Sequence, residues 1–328
     1  MFFRKGTEYF AGDGMTDKRE LTEKILALKK QKDACILAHN YQLPEIQDMA
    51  DFVGDSLGLS QKAGDVKQSL IVFCGVHFMA ETASILCPDK KVLLPDPEAG
   101  CSLSDSLQFD QLKAWKERYP DAVVVTYVNT SAAVKSLSDY CVTSSNAVKV
   151  VDSIPPEKPV LFGPDMFLGA FVARKTGRKN IRLWAGECHV HAAVSPSDIE
   201  NARSAHPGAR FLIHPECGCV TSCMIEAAEK GEDEKTIFST EGMVREVEKE
   251  MGKEYVVATE TGIFHRLKKA SPASEFYPVS REMECRYMKL ITPEKVLNSL
   301  ENGVYEVKVP EDIRKKAIVP IERMVSIS

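Results

Sequence analysis

Ile36-Leu37-Ala38-His39-Asn40-Tyr41, Val124-Val125-Thr126-Tyr127-Val128-Asn129 and Phe211-Leu212-Ile213-His214-Pro215-Glu216 are three versions of one pattern, a short apolar run that closes on polar side chains. Their starts lie 88 and 87 residues apart. Each run has the length of a buried strand and is followed by a helix-like stretch. A short apolar segment then ends on a small hydroxyl residue, Ser56, Ser144 or Thr240, which opens another helical pattern. A further strand (70–74, 159–162, 254–258), a helix (about 77–86, 165–176, 262–269) and a last strand (91–94, 181–184, 275–278) follow in each copy. Each copy ends in a loop with one cysteine, and these cysteines, Cys101, Cys188 and Cys285, are spaced by 87 and 97 residues.

Strands alternating with helices indicate parallel sheets covered on both faces. A repeat of this length is of domain size and too long for a solenoid. The expected fold is therefore α/β, with three similar parallel-sheet sandwich domains arranged about a pseudo-threefold axis. The first domain is expected at 1–105, the second at 106–192 and the third at 193–289. Residues 290–328 are expected to return to the first, through a helix at Pro293–Asn302 and a strand at Val304–Val309.

The chain has 328 residues, 44% of them hydrophobic, with Lys+Arg 42 against Asp+Glu 47. The net charge of −5 offers no basic field for nucleic acid or an anionic membrane, so an anionic ligand must be caught locally. The apolar stretch Leu70 to Ala80 is far shorter than the roughly 18 residues of a membrane span. The first residues, Met1-Phe2-Phe3-Arg4-Lys5-Gly6, lead into polar sequence instead of a signal core. A soluble, cytoplasmic protein without nucleic-acid or membrane partners is expected. In a reducing compartment its ten cysteines are not read as disulfides. Cys35, Cys74, Cys87 and Cys141 sit in apolar runs and read as small core side chains, whereas Cys101, Cys188, Cys217, Cys219, Cys223 and Cys285 lie in loop-like segments.

Ligands of open α/β sheets bind beyond the carboxyl ends of the strands. Residues i and i+2 of a strand share a direction, so His39 with Tyr41, Tyr127 with Asn129 and His214 with Glu216 form three same-facing pairs. One such residue alone is usually a surface or hydrogen-bonded core residue, but recurrence in one register argues for a shared cavity. Ser56, Ser144 and Thr240 read as helix N-caps, where exposed amides and the helix dipole favour anions. Three cysteines, one per unit, can meet only near the axis that relates the units. Structural zinc commonly uses four ligands in paired knuckles. Three thiolates suit a 4Fe-4S cluster with one iron open as a Lewis acid. The local set Cys217, Cys219 and Cys223 with His214 is the alternative metal site, or else a group of structural or redox-labile thiols.

The chain resembles the quinolinate synthase family, the iron–sulfur enzymes of NAD biosynthesis, over nearly its whole length. The resemblance is carried by Ala38-His39-Asn40-Tyr41-Gln42, Gly54-Asp55-Ser56-Leu57, Pro97-Glu98-Ala99-Gly100-Cys101-Ser102-Leu103, Tyr127-Val128-Asn129-Thr130, Cys141-Val142-Thr143-Ser144-Ser145-Asn146, Gly186-Glu187-Cys188-His189-Val190-His191, His214-Pro215-Glu216-Cys217 and Cys285-Arg286-Tyr287-Met288. It implies three α/β domains around a 4Fe-4S cluster on Cys101, Cys188 and Cys285. It also implies a reaction, condensation of iminoaspartate with dihydroxyacetone phosphate to quinolinate with loss of phosphate and water, and with it the enzyme supplying iminoaspartate as a partner. Tyr41 and Glu216 would be the acid/base pair. His39, His191 and His214 would donate to carboxylate or phosphate oxygens, and Tyr127 and Asn129 would position the substrate backbone. Cys217-Gly218-Cys219-Val220-Thr221-Ser222-Cys223 departs from the pattern. An iron–sulfur electron-transfer or regulatory protein is the alternative reading. It would call for a fully ligated cluster and leave the repeated polar pairs unexplained.

Overall fold

The computed structural model describes residues 13–229 and 236–327, so the amino-terminal Met1–Gly6 segment lies outside the described residues. The architecture is α/β, with three separate sheets whose strands all run parallel. β1 (Ala34–His39), β2 (Phe52–Gly54), β3 (Leu70–Cys74) and β4 (Lys91–Leu93) form the first, in the order β2-β1-β3-β4. β5 (Val123–Tyr127), β6 (Tyr140–Val142), β7 (Val160–Gly163) and β8 (Ile181–Leu183) form the second, in the equivalent order β6-β5-β7-β8. β9 (Arg210–Ile213), β10 (Glu254–Ala258) and β11 (Glu275–Pro278) form the third, in the order β9-β10-β11.

The repeat extends to register. His39 pairs with Gly54 in the first sheet and Tyr127 with Val142 in the second. In the third copy the corresponding pairing among the described residues is a single bridge, Ile213 with Ile237. Helices on both faces explain why β1, β3 and β5 are almost uniformly apolar and buried instead of alternating. One apolar core runs through all three sheets, with a small satellite around Leu107, Leu112 and Leu161.

The helix Pro293–Asn302 forms as expected. Val304–Val309 is not a strand. It lies antiparallel along the short edge of β4, held through Tyr305 and Val307, with only Glu306 bridging Leu93. The chain ends in a helix, Glu311–Ser326, that the sequence reading missed. It packs against β6 and the helix Ala132–Lys135, and also against the helices Ser56–Asp65 and His77–Leu86. Asn146 donates to the carbonyls of Met324 and Ile327, fastening this helix beside the second sheet. No helix among the described residues is long and apolar enough to cross a membrane.

Candidate active site

β1, β5 and β9 end at His39, Tyr127 and Ile213, two or three residues earlier than the alternation of the three runs implies. Tyr41, Asn129, His214 and Glu216 therefore sit in the turns beyond the strands. Two of the pairs still meet at the carboxyl edge. The rings of His39 and Tyr41 meet edge to face at 4.6 Å, and His214 Nδ1 lies 3.8 Å from Glu216 Oε1. The helix caps also differ from the reading. Asp55 caps the helix Ser56–Asp65 by accepting from Gly58 N at 2.8 Å, and Ser239 caps Thr240–Lys249 by accepting from Gly242 N at 3.1 Å. Ser56 and Thr240 are thus the first helical residues, and Ser144 precedes Asn146, which opens the short helix Ala147–Asp152. The caps went to neighbours because Asp and Ser, one residue earlier, already have the extended backbone that a capping residue needs.

One cavity of about 680 Å³, counting the space at its mouth, gathers every candidate residue except the alternative thiols Cys217, Cys219 and Cys223. His39, Tyr41 and Ser56 reach it from the first sheet's loops, and Tyr127, Asn129 and Ser144 from the second's. His191, His214, Glu216 and Thr240 follow, together with Cys101, Cys188 and Cys285. Val76, Phe78, Met79 and Met288 supply an apolar wall, and among the described residues neither Lys nor Arg lines it.

A continuous hydrogen-bonded series crosses the floor. The Tyr41 phenol lies 2.6 Å from Thr259 Oγ1, which lies 2.9 Å from His191 Nε2. His191 Nδ1 is 3.2 Å from Glu216 Oε2 and 3.2 Å from the Cys188 thiol, and Tyr127 OH donates to Glu216 Oε1. His214 Nε2 faces Ser144 Oγ at 3.2 Å. Asn40 donates to Thr240 Oγ1 at 2.9 Å and accepts from Arg266 at 2.6 Å, bringing a cation up behind the pocket. Asn129 Oδ1 is buried without a partner among the described residues, which leaves it for a ligand. Thr259, Asp55, Asn40 and Glu260 were not found by the sequence reading. Thr259 carried one usable signal, since it directly follows β10 at the same carboxyl edge.

Burial opposes every charge here, and the balance differs from group to group. Burial lowers His39 to about 3 and His214 to about 4 despite the nearby Glu216 carboxylate, so both imidazoles are neutral. Burial would raise Glu216, but His214, His191 and the Tyr127 hydrogen bond hold it down at about 2. His191 is held well above its usual value, because Cys188 and Glu216 outweigh its desolvation. Burial, reinforced by Glu216, raises both tyrosines well above the ordinary phenol range.

Cys101, Cys188 and Cys285 are partly exposed free thiols on three separate loops. Burial pushes Cys101 up to about 12 and raises the other two, so binding a cationic group would drive off their protons. Their sulfurs do not gather within 4.8 Å of one another as ligands of a single ion would; among the described residues only Cys188, His191 and Glu216 do. An all-thiol donor set with wider spacing fits a metal–sulfur cluster better than a single ion. Cys217 and Cys219 are fully buried, and the Cys217 thiol donates to Ala258 O at 3.1 Å, so these two pack as core side chains.

Residues 23–326 match the family described as quinolinate synthetase A protein. The chain is similar to a quinolinate synthase of Thermus thermophilus, at 53% identity over 94% of this chain and 97% of that one. It is similar also to that of Pyrobaculum aerophilum, at 51% over 93% and 98%. A third similar protein is that of Mycobacterium sp. strain KMS, at 51% over 96% and 94%. With a family match over nearly all of its length, the chain belongs to the quinolinate synthetase A family.

Proposed function

We propose that this protein is a quinolinate synthase that condenses iminoaspartate with dihydroxyacetone phosphate, releasing phosphate and water, with a 4Fe-4S cluster held by Cys101, Cys188 and Cys285. The observation that carries the reading is the series Tyr41–Thr259–His191–Glu216–Tyr127, a path for protons along the floor of a cavity with an apolar wall. Making an aromatic ring from two acyclic substrates moves protons at carbon and at oxygen several times, and each transfer needs a positioned donor or acceptor. The cluster, when bound, supplies an iron without a thiolate as a Lewis acid for a substrate oxygen or nitrogen.

The protein's own groups divide the remaining work. Both substrates are anions in a pocket that no Lys or Arg lines among the described residues, and the charge of His191 is matched by Glu216, so binding falls to neutral donors and amides. Ser56 and Thr240 are the first residues of two ten-residue helices, so their hydroxyls stand beside first-turn backbone N–H groups that have no partner within the helix. His39 and His214, kept neutral, donate one N–H each, and Ser144, Asn129 and Tyr127 fix the orientation of the condensing carbon skeleton. Glu216, anionic, takes a proton from substrate carbon or oxygen; as the Tyr41 phenol gives its proton to substrate, the Thr259 hydroxyl replaces it and His191 Nε2–H reprotonates Thr259, so the neutral phenol is restored. Val76, Phe78 and Met79 keep bulk water from the reactive enamine and imine stages. An electron-transfer or regulatory role would use neither the proton path nor the open substrate space.

The test is quinolinate formation by anaerobically purified protein given freshly generated iminoaspartate and dihydroxyacetone phosphate, with iron and sulfide counted in the same sample. Quinolinate in proportion to cluster content is expected. A fully loaded sample that forms none would overturn the assignment.

A further inference from the structure

Glu260 and Lys289 form an ion pair that the reaction scheme leaves unused. Lys289 Nζ lies 2.8 Å from Glu260 Oε1, with the carboxylate 0% and the lysine side chain 14% exposed. Withdrawing two such charges from water costs about as much as their attraction returns, so stability alone is a weak reason for the pair. Its remaining bonds suggest another. Glu260 Oε1 also accepts from the backbone N–H of Cys285 at 3.0 Å, and Oε2 accepts from Gly262 N at 2.7 Å. Lys289 Nζ donates to the carbonyl oxygen of Tyr41 at 2.6 Å. Tyr41 O, Lys289, Glu260 and Cys285 N are therefore consecutive in one short path. It joins the turn that carries the phenol to the loop that carries a cysteine of the metal site.

The same segments are pressed together independently of the charges. A Cβ at Gly262 would stand 2.7 Å from both C and O of Tyr41 and 2.8 Å from Glu260 Oε2, so only glycine lets the backbone approach this closely. Gln47 Nε2 donates to the carbonyls of Gly262 and Gln42, each at 2.9 Å, and Gln42 Nε2 reaches Met288 Sδ at 3.4 Å. Three segments distant in sequence thus form one rigid corner of the cavity.

We propose that Glu260 and Lys289 are positioning residues, a charged strap that fixes the Tyr41 phenol relative to the group bound at Cys285; this rests on the roles given above to Tyr41 and Cys285. Neither side chain needs to touch substrate. Because both hold backbone atoms, loss of either frees the Tyr41 turn from the Cys285 loop, and the two act as a unit.

The test compares Lys289→Met, Glu260→Gln, the double variant and Tyr41→Phe. It reads turnover per intact cluster, KM, the EPR signal of the reduced cluster and the thermal midpoint. Lys289→Met should lower turnover by about tenfold to a hundredfold with KM little changed, the scale expected when a reacting group is displaced slightly. It should also lower the midpoint, because Glu260 is left buried and unpaired. In the double variant the midpoint should recover while turnover stays at the level of Lys289→Met, as for residues acting together. Should Lys289→Met fail to fold, the double variant carries the test alone. Turnover that recovers with stability, or an unchanged EPR signal with native turnover, would reduce the pair to a structural feature and overturn the proposal. Tyr41→Phe separates the two layers. An inactive Tyr41→Phe beside a fully active Lys289→Met overturns the strap only, whereas a fully active Tyr41→Phe overturns the assignment beneath it as well.

Discussion

The Tyr41 phenol and the Thr259 hydroxyl meet at 2.6 Å although 218 residues separate them in the chain. Thr259 stands between the phenol and His191 Nε2, so its hydroxyl joins the first sheet's turn to the His191–Glu216 pair and offers a proton a path between them. Thr259→Val keeps the shape and removes that atom. Turnover should fall on the order of 10²-fold while KM for both substrates holds, and Thr259→Ser should retain most of the activity. Steady-state kinetics normalised to cluster content decide this, and native turnover in the valine variant would mean that phenol and imidazole work independently.

Glu216→Gln preserves shape and leaves an oxygen for Tyr127 to bond, but it removes the carboxylate that, together with Cys188, raises the pKa of His191. Cluster content and ligand binding should persist with turnover lowered on the order of 10²-fold or more. If Glu216 only braces the fold, the variant will instead lose cluster and thermal stability, and the surviving molecules will turn over normally. Turnover per intact cluster distinguishes these outcomes.

The parts of this site that were legible in the sequence are those the repeat wrote three times. The strand at Leu70–Cys74 and the helix at His77–Leu86 appear where the periodicity put them, because long apolar runs leave few other ways to bury their side chains. His39 and Tyr127 could be picked out because they occupy one register relative to their sheets, 88 residues apart. Contacts that occur once were hidden. Thr259 and Glu260 follow β10 in a segment with no repeated polar partner, and Lys289 acts on a residue 248 positions away. Pairing of this kind depends on how the loops of different sheets face one another, which local pattern does not encode. The terminal helix was missed for a nearer reason. Pro320 lies inside it and reads in sequence as a helix breaker.

Cys101, Cys188 and Cys285 each come from a different loop, and among the described residues they are the cysteines that line the cavity. Cys101→Ser, Cys188→Ser and Cys285→Ser should each abolish both the cluster and quinolinate formation. Cys217→Ser should leave both in place, since a serine hydroxyl can still donate to Ala258 O. Anaerobic iron and sulfide analysis checks all four. A loaded Cys285→Ser protein beside an empty Cys217→Ser protein would transfer the site to the other cysteine group.

His39 gives a stability prediction with a definite sign. Burial, helped by the positive charges of Lys289 and Arg266 and by His214 and opposed by Glu216, lowers its pKa in the folded protein to about 3, whereas an unfolded histidine titrates near 6.5. Between these values the unfolded chain binds a proton that the folded chain does not, so this group's contribution to stability rises with pH and is lost as pH falls below about 6.5. The loss approaches about 1.4 kcal/mol for each further pH unit until the folded imidazole itself protonates. His39→Asn removes the titration while keeping an acceptor for the Tyr41 backbone N–H, which His39 Nδ1 holds at 3.2 Å. Buried carboxyls such as Asp55 and Asp165, raised by desolvation, also shift stability with pH, but they are common to both proteins and cancel in the difference. Urea unfolding of the two cluster-free proteins side by side, from about pH 7.5 to about pH 5, should therefore show the wild type losing stability relative to His39→Asn as the solution is acidified. A stability difference that stays constant across that range would mean that His39 is solvated or charged in the folded protein, and its place as a neutral donor in the substrate pocket would fall with it.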